Sequence, residues 1–256
     1  MTLPFERVWV TGASAGIGRA TCLELAAQGA HVAATARSAD KLDSLVAEAT
    51  RLPGSITAFP GDITDSERMR AVVAEISDQL GPLDVALLNA GTYLPLTLDD
   101  WTNEAFAETY RLNVQGTVHC ISAVLPGFKD RGEGHIAIVS SIAGVKGLPT
   151  SAAYGSSKAA VTHMAEAMRC EQAATGIKVQ VILPGFVKTP LTDKNEFPMP
   201  FLIPAEKAAK RIVSGLQSSR FEITFPKRFT WLVKATAALP DFIYFPIIGR
   251  VTGASR

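Results

Sequence analysis

Cysteine is scarce in this chain, which has three among 256 residues. Their odd number and wide spacing favour reduced thiols on packed helices over disulfides or a metal site. The four histidines also lack the short spacings of metal ligands, so we expect no metal. The residues concerned are Cys22, Cys120 and Cys170, and His31, His119, His135 and His163.

The chain also lacks an excess of charge of either sign. Its 25 lysines and arginines nearly balance 24 aspartates and glutamates, for a formal net charge of +1. This balance gives no reason to expect a nucleic-acid partner. With 47% hydrophobic and 19% charged residues, the composition is typical of a globular protein with a large core.

Long apolar runs are missing as well. No stretch of 18 apolar residues occurs, so no helix is expected to span a membrane. The first ten residues lack the basic and apolar regions of a cleaved export signal. We therefore expect a cytoplasmic location.

Short β-branched runs alternate with segments of helical period along most of the chain, the signature of βαβ units. The pattern predicts an α/β fold, with a doubly wound, parallel, seven-stranded sheet and helices on both faces of a single domain. The predicted strands are 7–11, 31–35, 55–59, 84–88, 134–139, 178–183 and 222–225. The predicted helices are 17–28, 39–50, 66–79, 103–125, 153–175 and 204–216.

A glycine-rich segment, VWVTGASAGIGRA at 8–20, follows the first predicted strand directly. Gly12, Gly16 and Gly18 let the backbone approach a ligand closely, and the helix that follows presents free N–H groups and a positive dipole end. Such a turn binds a pyrophosphate. The spacing is G-x-x-x-G-x-G rather than the commoner G-x-G-x-x-G. A glycine-rich turn without a ligand is the alternative.

The end of the second predicted strand indicates which dinucleotide binds. A free ribose 2′-hydroxyl favours an acidic partner there, whereas a 2′-phosphate favours arginine. The strand ends AATAR at 33–37, and the first carboxylate is Asp40. We therefore expect NADP(H) to be preferred over NAD(H), with Arg37 and Ser38 as contacts; a merely solvated Arg37 is the alternative.

A tyrosine and a lysine stand four residues apart at the start of a predicted helix, so Tyr154 and Lys158 project from one face. A neighbouring ammonium favours the phenolate and should lower the pKa of the tyrosine, which then exchanges a proton near neutrality. The preceding strand delivers Ser140 and Ser141 to the sheet edge that carries the glycine turn. The four residues together predict an acid–base site.

These motifs resemble the short-chain dehydrogenases/reductases over about residues 5–190, in the family's order. TGASAGIG matches the cofactor turn, GDIT carries an acid for the adenine ring, and LNAG is similar to the family's NNAG, with Leu88 in place of its first asparagine. The catalytic tetrad matches Asn113, Ser141, Tyr154 and Lys158. The resemblance implies a Rossmann-type fold and, as cofactor contacts, Gly12, Ser14, Ala15, Gly16, Ile17, Gly18, Arg37, Ser38, Asp62, Ile63, Asn89, Ala90, Gly91, Tyr154, Lys158, Pro184, Gly185, Val187 and Thr189.

The activity that the resemblance implies is hydride transfer between a nicotinamide and a carbonyl or alcohol carbon. Tyr154 then serves as acid or base, Ser141 stabilises the developing oxyanion, and Lys158 lowers the tyrosine pKa and holds the nicotinamide ribose. Asn113 holds a water beside Lys158. Reduction of a carbonyl is the expected direction. The alternatives are a cofactor-binding regulator without turnover, an NAD-dependent alcohol dehydrogenase, and a sugar-nucleotide epimerase or dehydratase.

The substrate is expected to be a bulky, hydrophobic ketone or aldehyde. A lid at about residues 186–203 is rich in apolar side chains, and the segments 92–96 and 142–151 supply the opposite wall. Packing within the protein is the alternative use of these residues. The candidate substrate contacts are Tyr93, Ile142, Lys146, Phe186, Leu191 and Phe197, with Lys146 as a handle for a carboxylate or phosphate.

After residue 225 the pattern changes. We divide the chain into a catalytic domain at 1–225, which includes the lid, and an aromatic C-terminal extension at 226–256. Its aromatic and basic residues suit a homodimer or homotetramer interface, a cover over the substrate pocket, or peripheral contact with a membrane surface.

Overall fold

The computed structural model describes residues 3–194 and 198–252. Strands and helices alternate as predicted through the first two thirds of the chain. The elements are β1 (Arg7–Thr11), α1 (Gly16–Ala27), β2 (His31–Thr35), α2 (Ala39–Glu48), β3 (Ser55–Ala58), α3 (Ser66–Leu80), β4 (Val85–Leu88), α4 (Asn103–Tyr110), α5 (Gly116–Arg131), β5 (Gly134–Val139), α6 (Ala152–Thr175), β6 (Ile177–Pro184), β7 (Val187–Lys188), β8 (Ile203–Pro204), α7 (Ala205–Leu216), β9 (Glu222–Phe225), α8 (Lys227–Ala237) and α9 (Asp241–Thr252).

Seven strands form one parallel sheet in the order β3-β2-β1-β4-β5-β6-β9. The chain steps outward from β1 to β2 and β3, and then returns to place β4 on the other side of β1. This reversal creates a crevice at the carboxyl ends of β1 and β4, where open α/β sheets bind their ligands. The predicted doubly wound, seven-stranded fold in a single domain is confirmed.

Apolar side chains cover both faces of the sheet, because strands buried on both sides carry nearly continuous Val, Ile, Leu and Ala. Helices α1, α2 and α7 pack on one face, with Cys22, Leu25, Leu42, Leu45, Ile212 and Leu216 fully or nearly fully buried. Helices α3, α5 and α6 pack on the other, with Met69, Val72, Cys120, Val124, Val161 and Ala165. The crevice therefore lies at the edge of a sheet that is packed on both faces.

Three features differ from the predicted elements. The single helix expected at 103–125 is interrupted by a π-helical turn at Arg111–Gln115, and its second part continues through Pro126 to Arg131. The sequence beyond residue 225, for which no element was predicted, forms helices α8 and α9. A two-stranded ribbon of β7 and β8 also brackets part of the predicted lid.

Candidate active site

A cleft of about 350 Å³ lies at the carboxyl edge of the sheet. Most of the predicted site residues line it, although they come from segments at the ends of six different strands and from α6. They are Gly12, Ser14, Ala15, Gly16, Ile17, Arg37, Asp62, Ile63, Asn89, Ala90, Gly91, Ser141, Tyr154, Lys158, Pro184, Gly185, Val187, Thr189 and Leu191. The fold therefore brings the separate sequence motifs to one place.

The glycine turn is held close to β4. Gly12 has a φ of +68°, and a Cβ there would lie 2.7 Å from the Cα of Ala90. A Cβ at Gly18 would lie 2.2 Å from the carbonyl oxygen of Gly12, so this glycine permits close packing and does not line the cleft. Asn89 braces the turn, because its Nδ2 donates to the carbonyl oxygen of Thr11 at 3.0 Å.

The N-terminus of α1 opens into this cleft. Among the described side chains none caps it: Ala15 is the N-cap residue and makes no side-chain hydrogen bond to the helix. The first turn therefore presents backbone N–H donors and the positive end of the helix dipole. On the far side of the cleft, a Cβ at Gly16 would lie 3.0 Å from Cγ2 of Thr189.

Two charged side chains, from the segments after β2 and β3, line the cleft. Arg37 follows β2, is exposed and lines the cleft, and the described part of the chain offers it no ion-pair partner. Ser38, expected beside it, occupies the N-cap position of α2 instead of the cleft wall. Asp62 lines the cleft and accepts a hydrogen bond from the N–H of Thr64 at 2.9 Å.

Ser141 and Tyr154 meet because the turn after β5 packs tightly on α6. A Cβ at Gly144 would lie 2.8 Å from the backbone nitrogen of Ala159, and one at Gly155 would lie 2.9 Å from the carbonyl oxygen of Ala143. Only glycine allows that approach. Ser140 fastens the same contact, since its hydroxyl donates to the carbonyl oxygen of Lys158 at 2.8 Å.

The phenol of Tyr154 does not have the lowered pKa that the spacing of the tyrosine and lysine led us to expect. Burial raises its pKa, hydrogen bonding from Ser141 works in the opposite direction, and the nearby Tyr93 raises it further. The ammonium of Lys158 lies 5.8 Å from the centre of the Tyr154 ring. Desolvation is therefore the main cause of the shift, and it outweighs the hydrogen bond from Ser141.

Lys158 is nearly fully buried, at 4% exposure. Its Nζ donates to the carbonyl oxygen of Val139 at 2.9 Å, and burial lowers its pKa from 10.5 to about 8. A cation in this position carries a desolvation cost that one hydrogen bond only partly offsets. Such an arrangement is typical of a functional lysine.

Asn113 lies in the π-helical turn, behind the cleft wall. Its Oδ1 accepts from the N–H of Thr92 at 2.7 Å, while its Nδ2 donates to the carbonyl oxygen of Thr92 and to Oγ of Ser157. A Cβ placed at Gly91 would lie 3.1 Å from Oδ1 of Asn113 and 3.3 Å from Nζ of Lys158. Both side chains therefore approach Gly91. Asn113 thus ties the loop after β4 to α6, near the lysine.

Several predicted substrate contacts have other partners. Ile142 is buried in the core at 5% exposure. Lys146 forms an ion pair of 2.9 Å with Asp241, which occupies the ammonium that we had assigned to a substrate anion. Phe186 stacks on Phe229, with ring centres 5.5 Å apart. Phe197 lies outside the described residues.

The C-terminal helices supply contacts that no sequence motif had indicated. The Tyr244 hydroxyl donates to the carbonyl oxygen of Gly147 at 2.8 Å, and this tyrosine is 2% exposed. A Cβ at Gly185 would lie 2.9 Å from the ring of Phe229. Both contacts join residues far apart in the chain, so periodicity and local spacing carry no signal of them.

In the described part of the chain, every helix is too short or too polar to span a membrane, and no cluster of metal-ligating residues occurs.

The comparisons with known proteins agree with one another. The family model described as short chain dehydrogenase matches residues 6–198. An uncharacterized oxidoreductase from Myxococcus xanthus is 35% identical over 246 residues, covering 94% of this chain and 96% of that protein. A 3-oxoacyl-acyl-carrier-protein reductase from Thermotoga maritima is 34% identical over 212 residues, covering 83% and 82%.

Solved structures extend the similarity to the fold. A short-chain dehydrogenase from Streptomyces avermitilis is 29% identical with a TM-score of 0.79, and the match covers 91% of this chain and 92% of that one. A short-chain dehydrogenase/reductase from Mycobacterium marinum is 27% identical with the same TM-score, over 87% and 94%. Since the family match spans most of the chain and the cleft gathers the motifs on which the resemblance rested, the protein belongs to the short-chain dehydrogenase/reductase family of oxidoreductases.

Proposed function

We propose that the protein is an NADP(H)-dependent oxidoreductase that reduces a hydrophobic ketone or aldehyde, with Tyr154 as acid and base. The observation that carries this proposal is the convergence of Ser141, Tyr154 and Lys158 on the cleft into which α1 opens. An acid–base group and a dinucleotide-binding helix terminus are the two parts that carbonyl reduction needs.

The cleft fits a dinucleotide on the evidence of its own shape. The uncapped first turn of α1 offers N–H donors to a pyrophosphate, and Gly12 and Gly16 leave the backbone bare where side chains would collide with Ala90 and Thr189. Asp62 and Ile63 would hold the adenine end, and Pro184, Gly185, Val187 and Thr189 the nicotinamide end. A nicotinamide bound there supplies the hydride.

Tyr154 and Ser141 act on the substrate oxygen. The Oη of Tyr154 donates its proton to the carbonyl oxygen in reduction, and its raised pKa keeps that proton in place at neutral pH. The hydroxyl of Ser141 donates a hydrogen bond to the same oxygen as negative charge develops. The reverse direction requires Tyr154 to accept a proton.

Lys158 and Asn113 support the phenol after the proton has left. The ammonium of Lys158 stabilises the Tyr154 phenolate and would bind the ribose of the cofactor. Asn113 positions this lysine through its hydrogen bonds to Thr92 and Ser157, and a water at its Oδ1 would relay protons to Lys158.

Arg37 supports the preference for NADP(H). Its guanidinium is exposed on the cleft at the end of β2 and has no carboxylate partner among the described residues, so it is available for a 2′-phosphate. The nearest acid in the sequence, Asp40, is exposed in the first turn of α2.

Apolar side chains support a hydrophobic substrate. Leu191 lines the cleft, and Phe186 and Phe201 stack on Phe229 beside it. The related reductase from Thermotoga maritima carries a name that specifies a 3-oxoacyl group on a carrier protein. A ketone on an acyl chain or ring system is therefore our first choice of substrate class.

Turnover separates this proposal from a cofactor-binding regulator. We expect the purified protein to oxidise NADPH with hydrophobic ketones, and Tyr154→Phe to lower kcat by about 10²–10⁴-fold while NADPH binding is retained. Tyr110→Phe is the matched control, since the Tyr110 ring stacks on Phe106 away from the cleft. NADPH binding without turnover on any carbonyl would favour the regulator, and faster turnover with NADH would favour the NAD-dependent alcohol dehydrogenase.

The cytoplasmic location and the homodimeric or homotetrameric state stay predictions.

A further inference from the structure

The outer sides of α8 and α9 expose large apolar side chains to solvent. We call this the C-terminal apolar surface, and its members are Trp231, Leu232, Phe242 and Phe245. Trp231 is 74% exposed and Phe242 is 78% exposed. Exposed apolar residues concentrated in one segment mark an interaction site, whereas single exposed ones do not.

Both helices are anchored from their inner sides, so the exposure is not that of a loose tail. Phe229 of α8 is 9% exposed and packs on Phe186, and Thr230 is buried beside it. Tyr244 of α9 is buried and bonded to Gly147. The side chains of the C-terminal apolar surface are those that these anchors turn outward.

Among the described residues, the unpaired charges beside this surface are all positive. Residues 227–252 contain a single acid, Asp241, and it pairs with Lys146. Lys234 pairs with Glu222 of β9. Lys227, Arg228 and Arg250 are exposed, and within the described residues no ion pair involves them.

The lid reaches the same side of the molecule. Phe201 and Leu202, at its C-terminal end just before β8, are 52% and 41% exposed. The Phe201 ring lies 5.8 Å from the ring of Phe229, the inner anchor of α8. The exposed apolar area therefore continues from α8 to the edge of the substrate lid.

We propose that the C-terminal apolar surface docks on an anionic lipid surface, with Lys227, Arg228 and Arg250 at the level of the headgroups. Aromatic and aliphatic residues enter the interface, and cations meet anionic lipid, in helices that lie on a bilayer. Helices α8 and α9 have 11 and 12 residues, whereas about 20 are needed to span a bilayer. We therefore expect α8 and α9 to lie along the membrane surface and not to cross it.

A second copy of the chain is the competing occupant, and charge disfavours it. A two-fold interface brings the same patch from each subunit together, so a patch whose unpaired charges are all positive would meet an equally positive one. Among the described residues, the nearby carboxylates of Asp241 and Glu222 are already paired, so the surface offers these cations no acid. An anionic membrane satisfies the apolar and the charged groups at once.

Sedimentation of the full-length protein with vesicles tests this proposal. We expect binding to vesicles of phosphatidylcholine with about one third phosphatidylglycerol, weak binding to phosphatidylcholine alone, and a loss of affinity as salt is raised. The readout is vesicle association and does not depend on the reaction catalysed, so failure here leaves the proposed oxidoreductase activity intact.

Paired variants identify the surface. Lys227→Glu with Arg228→Glu should weaken vesicle binding about 30-fold or more, and Trp231→Ser with Phe242→Ser at least about tenfold. The matched controls are Lys207→Glu with Lys210→Glu on α7, which packs on the opposite face of the sheet, and Leu98→Ser, which removes a side chain that is 88% exposed elsewhere. Each control should change binding by less than about twofold.

Three results would overturn the proposal. The first is absence of binding of the full-length protein to the anionic vesicles. The second is an equal loss of binding in the control variants. The third is a fall in molecular mass on sedimentation velocity of the Trp231→Ser, Phe242→Ser variant without any vesicle effect, which would assign the surface to a second copy.

Discussion

The rings of Tyr93 and Tyr154 meet edge to face, with their centres 5.0 Å apart and their planes at 72°. Tyr93 belongs to the loop after β4, and its hydroxyl lies 3.4 Å from Oγ1 of Thr150, just before α6. The loop after β4 therefore fixes the orientation of the proposed acid–base phenol. This contact places Tyr93 beside the reacting group as a positioning residue.

Tyr93→Phe should shift the pH profile of the enzyme. Burial is the main cause of the raised pKa of Tyr154, and the electrostatic effect of the Tyr93 phenol adds to it. Removal of the phenol oxygen lowers the pKa of Tyr154, so the rising limb of kcat/KM for alcohol oxidation moves to lower pH while kcat changes by only a few-fold. The profile is measured with a saturating nicotinamide cofactor.

Ser141→Ala should shift the pH profile in the direction opposite to Tyr93→Phe. Ser141 lowers the pKa of Tyr154, so its removal should move the residual activity limb to higher pH, with kcat reduced about 10²-fold or more. A shift in the same direction for both variants would contradict these assignments.

Arg37→Ala should weaken NADPH binding by about tenfold or more, because a charge-assisted contact to the 2′-phosphate is lost. NADH binding should change little. Dissociation constants for the two reduced cofactors, from nucleotide fluorescence, measure the difference. Arg51→Ala removes another exposed arginine, in the turn after α2, and serves as the control. Equal losses for both cofactors would remove the case for NADP preference.

Lys158→Met should stabilise the cofactor-free protein, most at neutral pH. Burial lowers the pKa of Lys158 from 10.5 to about 8. Between these values the unfolded state binds a proton that the folded state has released, so the free energy of unfolding of the natural chain rises with pH there. Across that window the advantage of the variant should shrink by about 3 kcal/mol.

Urea unfolding at several pH values between 7 and about 10.5 tests this slope. Lys210→Met, on the exposed side of α7, is the control, since its ammonium stays in water in both states. A stability difference between natural chain and Lys158→Met that does not vary with pH would show that the lysine keeps its ordinary pKa when folded.

Gly18→Ala should damage the glycine turn. Its Cβ would lie 2.2 Å from the carbonyl oxygen of Gly12 and 2.5 Å from Nδ2 of Asn89, so backbone must shift. We expect a loss of about 2 kcal/mol or more in the free energy of unfolding and weaker cofactor binding. Gly147→Ala, where no atom lies within 4 Å of the added carbon, should be close to neutral. Thermal unfolding and cofactor titration compare the two, and equal stabilities would refute the packing role.

Periodicity was sufficient for the main sheet, because a strand buried on both faces and a helix covering it each leave a regular apolar pattern. The strands at Arg7–Thr11, His31–Thr35, Gly134–Val139 and Glu222–Phe225 begin and end where predicted. The ribbon of Val187–Lys188 and Ile203–Pro204 was not predicted. Two residues per strand are too few to show a period.

Motif spacing located the cleft but not the partners of each side chain. Tyr154 and Lys158 share a helix face as their spacing requires, yet the direction of the Tyr154 pKa shift depends on burial, which the spacing does not encode. Lys146 was assigned to a substrate anion. Its actual partner, Asp241, is 95 positions away, so the local sequence carries no sign of the ion pair. Contacts at that separation are set by the completed fold.

The hydrogen bond from Tyr244 to Gly147 also has a timing. The two residues are 97 positions apart, and a ribosome adds about 5–20 residues per second, so the brace arrives roughly 5–20 s after the loop that it holds. For most of that interval the nascent chain contains Ser141, Tyr154 and Lys158 but not the helix that supports the turn between Ser141 and Tyr154. The support for this turn is therefore completed only when α9 has left the ribosome.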